Sequence, residues 1–223
     1  MKMDLFLILI IIALPMLAQG KVKSSYQNFS KIKNSTGVSG YEVARKILDE
    51  NELQNVKIVE VAGELTDHYD PTQRVISLSR NIYSKNSISA AAVAAHEVGH
   101  AIQHKEQYSF LEFRTKLVPV VNFTSTISSV MIFFGFFLEA ANILYIAILC
   151  MLASLLFQFI TLPVEFDASN RAREQLEKLN LIKSADKKGI TNVLSAAALT
   201  YVAGFLATAM QVVRIVLRAR DRN

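Results

Sequence analysis

From Leu117 to Val164 the chain has one side chain that is charged at neutral pH, Glu139; the other ionisable groups there are Tyr145 and Cys150. No buried helix of ordinary length absorbs so long an apolar run, whereas a bilayer core of about 30 Å takes about 20 helical residues per crossing. Two crossings fit, and Glu139–Asn142 falls at the midpoint, where a polar turn belongs. The run therefore predicts a transmembrane helical hairpin over 114–163.

Two further segments are apolar. Leu5–Ala18 is short for a span and also fits the h-region of a signal peptide, with Ala18-Gln19-Gly20 as a passable cleavage site. Lys21, Lys23, Lys31 and Lys33 follow it while only Lys2 precedes, a bias that favours an anchor (1–20) whose C-terminal end stays in the cytoplasm. Val193–Leu217 is Ala-rich and long enough to span, although Tyr201, Gln211 and Arg214 also suit a helix packed on a folded domain. The expectation is about four membrane helices, the last over 192–217 with a basic tail at 218–223. The net charge of +5 comes from basic residues clustered beside these segments, a pattern for an anionic membrane surface. No basic stretch interleaves with aromatic residues, so nucleic acid is not an expected partner. The single cysteine, Cys150, excludes an internal disulfide and a cysteine-based zinc site.

The hydrophilic region 21–113 reads as a small α+β unit. Ser39 and Glu42 form a capping box opening a helix over Tyr41–Glu50. Val56–Val61 reads as a strand, Asp67–Pro71 as a polar turn, and RVISLS (74–79) as a half-exposed strand. Ser87 or Ser89 then caps a helix running to about Gln107.

That helix contains His96-Glu97-Val98-Gly99-His100 in a run of small and apolar residues. Histidines four apart share a helix face, so both imidazoles reach one zinc ion at about 2.0–2.1 Å. Glu97 is placed to accept a proton from the activated water. A catalytic zinc needs a third protein ligand. His104 shares the face but lies about 12 Å along the axis from His96, too far for one ion. Gln103 and Glu106 stand where a metzincin needs glycine and histidine, which excludes that class.

Beyond the hairpin, with Pro163 as the expected break, a helix over 164–191 places Glu165, Ala168, Ala172, Leu176 and Leu179 on one inward stripe. Asp167–Arg171 and Glu174–Lys178 make surface pairs on the opposite stripe. Asp167 thus has a solvated explanation and Glu165 has none, so Glu165 is the expected third ligand, with His68 or Asp67 as the fallback. The hairpin also returns Glu165 to the membrane face that carries HEVGH.

Leu65–Pro71 (LTDHYDP), VISLS, Ala94–Ala101 (AAHEVGHA) and Leu162–Ala172 (LPVEFDASNRA) together resemble the YugP-type neutral zinc metallopeptidases of bacteria, small integral membrane proteins. The matching strings run in the expected order along most of the chain. Glu165–Ser169 is also similar to the E-x-x-A-D motif of the HtpX and Ste24 membrane proteases, whose glutamate binds zinc; here Ser169 replaces the aspartate. The resemblance implies a membrane gluzincin of the bacterial plasma membrane.

The expected protein is therefore an α-helical membrane protein with a small zincin-like α+β catalytic domain. It holds one Zn2+ per chain on His96, His100 and Glu165, hydrolyses peptide or protein substrates with Glu97 as base, and works on the cytoplasmic face. RVISLS is either an edge strand for an extended substrate or an ordinary core strand. Among His68, Tyr201 and Arg171 as oxyanion donors, His68 is preferred for its place in a polar cluster. Two rivals remain: a site-2-type intramembrane protease, which lacks its usual aspartate in a later membrane helix here, and a non-catalytic zinc-stabilised scaffold, which has no use for Glu97.

Overall fold

The computed structural model describes residues 2–220, with side chains from residue 4 onward. Its elements are α1 (Lys2–Phe29), α2 (Gly40–Glu50), β1 (Lys57–Val61), β2 (His68–Asp70), β3 (Val75–Ser79), α3 (Arg80–Ser84), α4 (Ile88–Lys105), α5 (Ser109–Phe137), α6 (Ala141–Lys178) and α7 (Lys187–Arg220). They form two compact units. Of the described residues, one contains 2–19, 112–163 and 199–220; the other contains 20–111 and 164–198.

The first unit is helical. Among the described residues four helices, α1, α5, α6 and α7, are long and apolar enough to cross a membrane. Large apolar side chains such as Phe6, Met16, Phe123, Phe137 and Leu149 point outward from them, which is costly in water and natural in lipid. The hairpin turns at Leu138–Ala140, where Glu139 has φ 56°, and Gly135 packs closely against Leu144. This is a helical membrane protein carrying a small α+β unit. The basic tail is described only to Arg220: Arg218 and Arg220 lie in the last turn of α7, and residues 221–223, including Arg222, lie outside the described residues.

In the second unit, α2 begins at the capping box of Ser39 and Glu42 and buries Val43, Ala44, Ile47 and Leu48. The sheet has the order β1-β3-β2. β1 runs parallel to β3 with Lys57 opposite Val75, and β2 runs antiparallel to it with His68 opposite Ser77. β3 is thus central and paired on both sides, which decides for the core strand over the edge strand. It is also not half-exposed: Ile76, Ser77, Leu78 and Ser79 are all buried. Alternation of serine with aliphatic residues mimicked a wet face, but Ser79 stays polar and buried because Asp67 accepts from its N–H (2.6 Å) and Oγ (3.2 Å). The polar stretch expected as a turn contributes β2, whose backbone completes the ladder on that side of β3.

Helix boundaries also depart from expectation: α6 ends at Lys178, short of 191, with Asn180 at φ 52° just beyond it, and α7 begins at Lys187, before 192, and runs to Arg220. α1 continues past residue 20 through the lysine-rich stretch to Phe29, and Tyr26 enters the core of the second unit. α6 passes through Pro163 without a break, so Glu165 lies in the same helix as the apolar run. Proline removes one i→i−4 bond and bends a helix, but in an otherwise strong apolar helix that loss does not terminate it. The inward stripe is present: Glu165, Ala168, Ala172 and Leu176 are buried.

Candidate metal centre

α4 starts where Ser87 Oγ accepts from Ala90 N–H at 3.1 Å, and its alanines (Ala90–Ala92, Ala94, Ala95) are buried. Small residues let neighbouring elements approach closely, which leaves room in this part of the helix for two imidazoles and a carboxylate. Four residues apart, the His96 and His100 rings meet edge to face with centroids 4.8 Å apart. Their side chains are only 13% and 11% exposed.

Glu165 comes to them from α6. Its Oε2 lies 3.3 Å from His96 Nε2 and 3.6 Å from His100 Nε2, and one donor atom from each residue falls within 4.8 Å of the others. A tetrahedral zinc with bonds of about 2.0–2.1 Å needs donors about 3.3–3.4 Å apart. Two nitrogens and a carboxylate oxygen are also the donor set of His₂Glu catalytic sites, so these residues fit zinc. The cluster contains neither Asp67 nor His68.

The close approach of the helices depends on a glycine within the motif. A Cβ built on Gly99 would stand 2.6 Å from the backbone oxygen of Ala168 and 3.1 Å from its C and Cα. Any side chain at 99 would push α6, and Glu165 with it, away from α4.

The outer nitrogens of both rings have partners. His96 Nδ1 lies 3.2 Å from Ser169 Oγ, so the serine that replaces the aspartate of the related motif faces this ring. His100 Nδ1 lies 3.0 Å from Gln103 Oε1, and Gln103 Nε2 donates to Val164 O and Asp167 Oδ2, each at 2.8 Å. Asp167 also accepts from Arg171 at 2.5 Å, and Arg171 reaches Glu106 at 2.7 Å. The surface pair read from the sequence is present, but Asp167 also turns inward. Gln103 is the residue that sequence reasoning passed over. Its only signal was its position three residues after His100 on an apolar helix.

Glu97 is buried, and burial pushes its carboxyl up to about 7; His96 works against the shift, and the acids Glu165 and Asp67 add to it. Asp67 is likewise raised by burial, against the hydrogen bonds it takes from Ser79. His68 is exposed on β2, with Nδ1 2.8 Å from Thr66 O. A carbonyl only accepts, so His68 Nδ1 carries a proton and Nε2 is a donor only in the imidazolium. His104 pairs with Tyr69, whose OH lies 2.8 Å from its Nδ1. Tyr201 belongs to the other compact unit, and Arg171 is engaged with two carboxylates.

Residues 4–220 match the family described as putative neutral zinc metallopeptidase. The chain is 46% identical over 222 residues to a protein of Bacillus subtilis (strain 168) named putative membrane protease YugP, covering 98% of this chain and 99% of that one. No solved structure matches it. By a family match and a relative that both extend over nearly its whole length, the chain belongs to the neutral zinc metallopeptidase family so described.

Proposed function

We propose that this protein is a membrane-embedded zinc-dependent metalloendopeptidase with Glu97 as its general base. The observation that carries the reading is the convergence of His96 Nε2, His100 Nε2 and Glu165 Oε2, with the buried carboxylate of Glu97 adjoining His96 on the same helix. When bound, zinc lowers the pKa of a water toward neutral and polarises the scissile carbonyl. Glu97 accepts the proton of the attacking water and passes it to the leaving amine. An extended peptide adds along β2, the sheet edge that carries His68, by backbone hydrogen bonds.

A site-2-type protease would carry its motif on a spanning helix. α4 is not among the four helices apolar enough to span, and it ends at Lys105, which pairs with Glu52 at 2.8 Å. A zinc scaffold would not need a carboxylate at 97. Glu97→Gln in the purified full-length protein tests the reading: zinc content stays at wild-type level while cleavage of an unfolded protein substrate falls by about 10²–10⁴-fold. Wild-type turnover in that variant refutes the mechanism. The lysines that follow the first apolar segment support a bacterial plasma membrane protein with its catalytic unit in the cytoplasm.

A further inference from the structure

We infer that Gln103 is a positioning residue that sets the tautomer and ring plane of His100 and ties that ring to the peptide beside Glu165. Gln103 is fully buried and spans the gap between α4 and α6. Side-chain amides usually leave open which end is oxygen, but here the partners decide it. Two groups face one end of the amide: the Val164 carbonyl, which can only accept, and the Asp167 carboxylate, which already accepts from Arg171. The NH₂ must point at them. A flipped amide would set its oxygen against two acceptors in a buried place, at a desolvation cost no other contact offsets.

Gln103 Oε1 therefore faces His100 Nδ1 at 3.0 Å and accepts from it. A neutral imidazole protonated at Nδ1 carries its lone pair on Nε2, the atom turned toward Glu165. The same amide grips the carbonyl of Val164, the residue before Glu165. One side chain thus orients one histidine and restrains the backbone next to the carboxylate. His96 has no such device, because the hydroxyl of Ser169 can rotate to donate or accept. Of the two rings, His100 is the one held ready for a metal.

The tautomer stands on hydrogen bonding alone; its consequence for zinc affinity rests on the proposed function. The test uses detergent-solubilised full-length protein and zinc competition with a chromogenic chelator. Gln103→Met keeps length and packing but loses the acceptor, and zinc affinity should fall about 10–100-fold. Wild-type affinity in a folded Gln103→Met protein overturns the inference. Wild-type protein supplies a reading that no misfolded variant can obscure. With the four histidines labelled with ¹⁵N and His100 assigned by its loss in His100→Asn, the metal-free ring should carry a proton on Nδ1, whatever Nε2 carries opposite Glu165; a ring bare at Nδ1 refutes the proposal. A wild type that shows this tautomer yet binds no zinc would sink the proposed function and leave the positioning intact.

Discussion

Gly99→Ala tests whether the metal centre depends on the spacing between α4 and α6. The added Cβ would meet backbone at 2.6 Å, where ordinary contact begins at about 3.4 Å, so the helices must part by about 0.8 Å. Backbone cannot rotate away as a flexible side chain can. Glu165 lies about 4.5 Å along α6 from Ala168, within one turn, and moves with it. Metal–ligand distances tolerate about ±0.2 Å. The imposed shift is about four times that margin, while its cost to folding is small. Overpacking of this kind costs about 1–3 kcal/mol, and alanine returns up to about 1 kcal/mol of helix propensity. The expected variant is folded, melts within several degrees of wild type and binds zinc at least about 100-fold more weakly in a chelator competition. Gly20→Ala, whose Cβ meets nothing within 4 Å, is the control and should leave zinc unchanged. Wild-type zinc affinity in a folded Gly99→Ala protein would refute the spacing argument.

Glu165→Ala should abolish stoichiometric zinc in metal analysis. Asp167→Ala should weaken binding less than about tenfold, because Gln103 keeps the Val164 carbonyl as an acceptor; loss of zinc in the Asp167 variant alone would reverse the ligand assignment. Asp67 has its folded pKa raised by burial, so its contribution to stability is fully present below the unfolded value and is lost as pH rises through the folded one. Asp67→Asn should therefore gain on wild type in thermal melts as pH climbs through that window; a constant offset across it would contradict the assignment. A reporter fused after Lys105 should give a cytoplasmic signal, and an external one would invert the topology.

What the sequence makes legible here is periodic. A carboxylate repeating with alanine and leucine every three or four residues marks a buried face, and Glu165 is on it. Histidines at i and i+4 share a helix face, which brings His96 and His100 together, although His104, four past His100, pairs with Tyr69 instead. Ser39 with Glu42 fixes a helix start for the same local reason. Contacts between elements carry no period. Nothing in HEVGH says that its glycine receives the backbone of Ala168, or that Gln103 reaches across to Val164. The β3 error has that origin too: serine at alternate positions looks solvated until Asp67, distant in sequence, is found capping one of them. Pro163 misled in the opposite sense, since a local helix-breaking rule was set against the continuity of a long apolar helix. The histidines are fixed within one element, whereas the carboxylate depends on how α6 packs against α4. Gly99 and Gln103 both lie at that contact, so the proposed metal centre should be sensitive there, at positions that are neither its proposed ligands nor its proposed base.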